Sequence, residues 1–336
     1  MKKGSKTLAV LLLLALVGAA VWYLYPHLSG ILKPRPTPGP VAGKLVVRFL
    51  DIGQGDAELI QLPGGETILI DSGDRGAPTV NLLKQYGVNQ IDLLIASHPH
   101  ADHIGEMRDI MREFPVKEFW DAGFPYTTTT YRDMLQEIKD RGIPFKAPRR
   151  GDTRKVGDAT LEVLHPGAQF ISTDSDEANN ASIVVRLTYG GKRFLFTGDA
   201  EEAAWRQMIE TGKDKLRADL LKAAHHGSSD GTTDYVLEAV RPSVVTISCK
   251  AGNDYHHPHP KVMDLLESRA GDIDLYRTDM EGTITATCDG NTIEMSAENR
   301  VAKDRLYLTG DEVAGKVASD GRGSRSSGRR GSMKGK

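Results

Sequence analysis

Short apolar runs recur through residues 45–296, and their periods alternate between two and about 3.6. Residues 45–50, 57–62 and 67–70 are apolar runs joined by turns that contain Gly, which predicts three successive strands. Val80, Leu82, Leu83 and Tyr86 share one side of a helix over 79–86. Residues 93–96 read as a buried strand, 104–114 as a helix and 116–120 as a strand. A helix over 131–141 turns Met134, Leu135 and Ile138 inward. The second half repeats the style. It predicts strands at 161–164, 183–187, 193–196, 220–223 and 244–247, helices at 200–209 and 262–266, and a closing hairpin of 283–287 with 292–295 around Asp289-Gly290. Strand-rich halves with helices outside predict an α/β protein, a four-layer αββα sandwich.

The ends depart from this pattern. Met1 to Lys6 is basic, and residues 7–25 are uncharged and rich in Leu, Ala and Val. Such a segment nearly spans a hydrocarbon core about 30 Å thick. The flanking lysines predict a cytoplasmic N-terminus, and Trp22, Tyr23 and Tyr25 suit the opposite interface. Residues 1–25 are therefore expected to be a membrane anchor, or else a cleaved signal around Val17-Gly18-Ala19-Ala20. Either places the domain outside the cytoplasm, at the membrane or secreted. Residues 26–43 are a stiff Pro-rich linker, 44–298 the folded domain, and 299–336 an extension expected to be disordered from about 311.

Composition refines this picture in two places. The net charge of −2 hides a basic tail: residues 311–336 carry seven Lys/Arg against three Asp/Glu. The remainder is mildly acidic and has no overall nucleic-acid footprint. Cys249 and Cys288 both lie in apolar runs and read as buried thiols. A disulfide is open to them outside the cytoplasm, and neither belongs to a CxxC motif.

The chemistry sits at predicted strand ends. His98-Pro99-His100-Ala101-Asp102-His103 follows the 93–96 run and delivers metal-ligand side chains to one point. His225-His226 follows the 220–223 strand, and His256, His257 and His259 follow the 244–247 strand. Sites in layered α/β folds assemble at such ends, so the clusters are expected to converge. Asp199 ends another buried run and can bridge two cations or cap the next helix. Asp71 is expected to orient a ligand histidine. Adjacent strand residues point opposite ways, so His225 is preferred as ligand, with His226 beside it or on the substrate. The Gly-punctuated turn 51–56, ending in Asp56, serves either phosphate binding or a positive-φ turn.

These motifs closely resemble the ComEC-type branch of the metallo-β-lactamase superfamily. The matching pieces are FLDIGQGDA (49–57), ILIDSG (68–73), SHPHADHIG (97–105), NNASIVV (179–185), FLFTGD (194–199), LLKAAHHGS (220–228) and SCKAGNDYHHPH (248–259). The resemblance implies a metallo-β-lactamase sandwich with two divalent metals, Zn²⁺ or Mn²⁺. It implies His98 and His100 on the first metal, Asp102, His103 and His225 on the second, and Asp199 between them. Asn179 and Asn180 stand where the wider superfamily has a further histidine, so the first metal is expected to be loosely held; nearby His165 reads as part of a turn. Asp102, His226 and His257 are the expected catalytic residues, with Asp56, Asp71, Asn179, Asn180 and Ser228 around them.

The implied activity is two-metal hydrolysis of a phosphodiester, with DNA as the expected substrate. A small phosphodiesterase or esterase acting on cell-envelope components is the alternative, and a non-catalytic DNA-binding or uptake accessory is an alternative of another class. The expected membrane contact is one N-terminal helix, and no motif marks an obligate protein partner.

Overall fold

A computed structural model describes residues 41–172 and 176–316. The expected anchor, most of the Pro-rich linker and the tail after 316 lie outside the described residues. Among the described residues, no helix is long and apolar enough to cross a membrane.

Two sheets form the centre. The first holds β1 (Leu45–Phe49), β2 (Glu58–Gln61), β3 (Thr67–Ile70), β4 (Leu93–Ala96), β5 (Phe119–Asp121) and β6 (Phe145–Lys146). The second holds β7 (Thr153–Val156), β8 (Ala159–His165), β9 (Val184–Tyr189), β10 (Lys192–Phe196), β11 (Leu220–Lys222), β12 (Val244–Ile247) and β13 (Asp274–Arg277). The hairpin β14 (Ile284–Cys288) and β15 (Ile293–Ala297) returns to the first sheet beside β1. In each sheet one stretch is antiparallel and the other parallel: β3 to β6 in the first, β10 to β13 in the second.

Strand alternation explains the layers. Leu45, Val47 and Phe49 of β1, with Ile68 and Ile70 of β3, face the space between the sheets. There they meet Leu161, Val163, Val185, Leu187 and Phe196 of the second sheet. Their strand neighbours point the other way. Leu59, Leu69 and Leu94 pack under α1 (Thr79–Gln85), α2 (Ala101–Ile104), α3 (Met107–Glu113) and α4 (Thr129–Arg141). Val184, Leu195, Leu221 and Val245 pack under α5 (Glu202–Gly212), α6 (Asp234–Val240) and α7 (Pro260–Glu267). This is the αββα sandwich that the periodicity predicts. Cys249 and Cys288 are buried free thiols in different clusters.

Three expectations need correction. The helix expected over 104–114 is two short helices, α2 and α3, broken at Gly105-Glu106. A side chain at Gly105 would collide with the backbone at Asp74 and Arg75, so the chain must turn there. β6, β7, α6 and β13 were not predicted; β6 and β7 are short and largely exposed, so their apolar signal is weak. The ordered chain also continues past 298 and past 311. Residues 310–316 are helical, Val313 is buried, and Leu306 joins the second helical cluster.

Arg277 explains why that segment is held. Its guanidinium is fully buried, pairs with Asp279, and donates to the carbonyls of Leu306 (2.9 Å) and Leu308. Gly310 N–H donates to Pro258 O (3.0 Å), and Ala314 lies against Gly252. A chain stopped after residue 298 strands these guanidinium N–H groups and removes Leu306. It should lose ~2–4 kcal/mol of stability relative to one stopped after 316. Thermal unfolding of the two measures this, and equal midpoints would place the end of the fold at 298.

Candidate metal centre

Strand ends place the site. β3 runs into Asp71, β4 into Ser97-His98, β10 into Gly198-Asp199, and β11 into the turn that holds His225-His226. These are carboxyl ends of parallel strands, where side chains from both sheets reach one rim. Their approach is close. A Cβ on Gly198, at φ +49°, would sit 2.8 Å from Ser97 Oγ. One on Gly55 would sit 1.9 Å from the Asp102 carbonyl oxygen. The turn 51–56 therefore packs against the loop that carries Asp102.

Asp199 is the centre of the arrangement and is 2% exposed. Its Oδ2 lies 3.2 Å from His103 Nε2, 3.4 Å from His226 Nε2 and 3.8 Å from His98 Nε2. Asp102 Oδ2 is 3.3 Å from His226 Nε2 and 4.0 Å from His103 Nε2. His98 Nε2 and His100 Nδ1 are 3.1 Å apart. Asp199 does not cap α5, which begins at Glu202; its backbone N–H instead donates to Ser182 Oγ (3.2 Å).

The outer nitrogens of these rings are held from behind. Asp71, at φ 58°, accepts from Ser97 N–H and Ser97 Oγ and lies 2.8 Å from His103 Nδ1. His226 Nδ1 donates to Ser248 O (3.0 Å) and lies 3.3 Å from Asp56 Oδ1. Asp56 in turn accepts from the fully buried Lys222 Nζ (2.8 Å). Ser97 Oγ sits 3.1 Å from His98 Nδ1. Hydrogen bonds of this kind fix the tautomer and orientation of imidazoles that face a metal.

The order expected for the adjacent histidines is reversed in this geometry. His226 faces Asp102, His103 and Asp199. His225 Nε2 stands 3.9 Å from Asp199, while its Nδ1 faces Glu201 (3.6 Å) and Asp230 (3.4 Å). Strand alternation does not apply, because β11 ends at Lys222 and both histidines have positive φ. The third cluster converges only in part. His257 reaches the site, but His256 is exposed and paired with Asp311, and His259 accepts from Ser229 N–H. Ser228 is buried and shapes the turn through its backbone.

The asparagine pair holds a residue that sequence reasoning missed. Asn179 Nδ2 donates to Glu201 Oε1 (2.8 Å), and Asn180 Nδ2 to Glu201 Oε2 (3.1 Å). Asn180 Oδ1 accepts from Ala204 N–H, which caps the first turn of α5. His165 is not a turn residue but the buried end of β8, and its Nε2 bonds Asn180 O (2.8 Å). Lys222 was also missed, although a lysine inside the apolar run 220–224 is a signal in itself.

Charge follows from this packing. Burial opposes ionisation of Asp199, yet His103, His226 and His225 hold it well below the usual carboxylate range. Burial likewise opposes charge on His103 and His226, but Asp199 raises both, helped by Asp102 and Asp71 at His103 and by Asp56 at His226. His257 is lowered to about 3 by burial and by the neighbouring His226 and His225, so it is neutral at pH 7. A cleft of about 770 Å³ opens at these groups, and His257, Tyr255, Lys250, Asp74 and Asp176 are among the residues that line it.

The Metallo-beta-lactamase superfamily profile matches residues 50–251. The chain belongs to that superfamily. It is 30% identical over 257 residues to ComE operon protein 3 of Bacillus subtilis, covering 71% of this chain and 32% of the relative. It is 31% identical to Recombination protein 2 of Haemophilus influenzae, covering 66% and 26%, and 27% identical to Competence protein ComA of Neisseria gonorrhoeae, covering 76% and 34%. The chain thus spans about a quarter to a third of the length of these relatives.

A metal-dependent hydrolase of this superfamily requires divalent cations, and the donors fit them. His103 Nε2, His226 Nε2 and Asp199 Oδ1 are buried without hydrogen-bond partners. Two ligands about 2.1 Å from one tetrahedral cation stand about 3.4 Å apart, close to the spacing between Asp199 and the imidazoles of His103 and His226. To hold a cation, His103 and His226 would have to give up the protons that the carboxylates favour on these nitrogens. His226→Ala should therefore lower the bound metal content, and His225→Ala should leave it unchanged. Metal content after gel filtration decides, and the opposite result would restore the order expected from sequence.

Proposed function

We propose that this chain is a phosphodiesterase that cleaves nucleic acid outside the cytoplasm. The observation that carries the reading is Asp199, whose one carboxylate oxygen faces the imidazoles from two strand ends at the floor of an open cleft. His98, His100 and Asp199 would hold one cation; Asp102, His103, His226 and Asp199 would hold the other. Bound there, such cations bring the pKa of water toward neutrality and polarise a phosphoryl oxygen.

The residues divide the remaining work. Asp102 is partly exposed to the cleft and is ionised, so it can orient an incoming water and accept its proton. The Asp56–Lys222 pair keeps the back of His226 fixed, and Asp71 does the same for His103. His257, neutral and buried at the cleft wall, is positioned to steady the leaving oxygen by a hydrogen bond. The names Competence protein and Recombination protein of two relatives favour DNA as the phosphodiester. The location outside the cytoplasm rests on the apolar segment 7–25.

The cleft wall favours a second reading. Asp74, Asp176 and Asp254 line it together with Lys250, and this excess of carboxylates suits a small phosphodiester better than a long polyanion. The chain loaded with Mn²⁺ or Zn²⁺ should cleave both single-stranded DNA and bis-p-nitrophenyl phosphate, lose activity to chelator, and regain it with metal. Asp199→Ala should lower kcat at least ~10³-fold with the fold intact. Cleavage of the small ester alone would replace the nuclease reading with the second one. DNA binding without cleavage would make the chain a binding module.

A further inference from the structure

Glu201 controls which way two buried side-chain amides point. It is 5% exposed, and each of its carboxylate oxygens accepts one amide NH₂, from Asn179 and from Asn180. Rotating either amide would set a carbonyl oxygen against a carboxylate, so the sense of both is fixed electrostatically. The two carbonyl oxygens then have different fates. Asn180 Oδ1 accepts from Ala204 N–H of α5. Asn179 Oδ1 is buried and has no hydrogen-bond partner, in a residue only 4% exposed.

The backbone holds that oxygen in place. Asn179 N–H and Ala178 N–H both donate to Asp176 Oδ1, and His165 Nε2 bonds Asn180 O. Asn179 lines the same cleft as His100 and Asp199. His98 and His100 would offer two nitrogens there and Asp199 one oxygen; a cation that takes more than four ligands would accept a further oxygen and still keep a position for water.

We propose that Asn179 Oδ1 is a direct ligand of the cation held by His98, His100 and Asp199, and that Glu201 is the positioning residue that presents this oxygen rather than the NH₂. The inference requires only that the chain bind divalent metal; it is independent of the identity of the substrate. An amide oxygen is a neutral, hard donor. It makes the site two nitrogens and two oxygens, which suits Mn²⁺ better than a site with a third imidazole would. An imidazole in its place favours Zn²⁺.

Titration calorimetry of the full-length chain with Mn²⁺ and with Zn²⁺, together with thermal midpoints with and without metal, tests this. Asn179→Ala should weaken one of the two sites at least ~10-fold, and most of its loss in midpoint should appear only with metal present. Asn180→Ala should lower the metal-free midpoint and leave both affinities within about threefold. Asn179→His should raise the preference of the weakened site for Zn²⁺ over Mn²⁺. Glu201→Gln should weaken the same site as Asn179→Ala. Adding Asn179→Asp to Glu201→Gln should restore it, because the amide introduced at position 201 can then donate to the carboxylate introduced at position 179.

Wild-type affinity at both sites in Asn179→Ala would overturn the proposal. So would a loss of midpoint that is the same with and without metal. If Asn179→Ala does not fold, the double variant decides: recovered affinity supports the proposal and unrecovered affinity overturns it. Activity on any substrate enters neither outcome.

Discussion

The constraint on which the rest depends is the burial of one carboxylate. Asp199 sits at the end of β10, almost fully inside the protein, and must carry a negative charge to be useful. An isolated ionised carboxylate at that depth is prohibitively unfavourable. The fold answers by bringing cationic or cation-binding groups to it from β4 in one sheet and from β11 in the other. The glycine before Asp199 permits the approach, since any larger residue there would press on Ser97. The two-sheet architecture can thus be read as the means of closing a shell around a single oxygen.

A second buried charge system stands behind the first. Lys222 is fully enclosed and faces Asp56, with Glu58 close by. Burial and the neighbouring Asp56 push Glu58 far up, so it holds its proton, while Asp56 stays ionised against Lys222 and His226. Breaking such a pair by removing one partner typically costs about 3–5 kcal/mol. What that arrangement secures is direction. With its Nδ1 occupied by Ser248 O and Asp56, His226 has only Nε2 to offer to the site.

Much of this was legible in the sequence, for identifiable reasons. The strands 67–70, 93–96 and 244–247 were legible at their observed bounds because both of their faces are buried, so apolar and β-branched residues fill almost every position. The role of Asp71 behind a histidine followed from its place at a strand end. The order of His225 and His226 did not follow, because a pattern argument assumes the strand continues, whereas the chain leaves it with two left-handed residues. Glu201 was invisible for another reason. Nothing in its local sequence distinguishes it from the other acidic residues around α5, and its importance lies in contacts made more than twenty positions away. The end of the fold was misplaced because the apolar residues of 299–316, among them Val301, Leu306 and Val313, follow no regular period, and Arg277 anchors the segment through backbone carbonyls, which leave no trace in side-chain patterning.

That anchoring also shapes the rim of the site. Residues 310–316 lie against Pro258 and Gly252, and Gly252 borders the cleft. The chain therefore leaves the described fold near the mouth of the site. The residues that follow include Arg322, Arg325, Arg329 and Arg330. The segment that closes the second helical layer thus also borders the cleft, and its loss would alter the rim of the site as well as the stability of the fold.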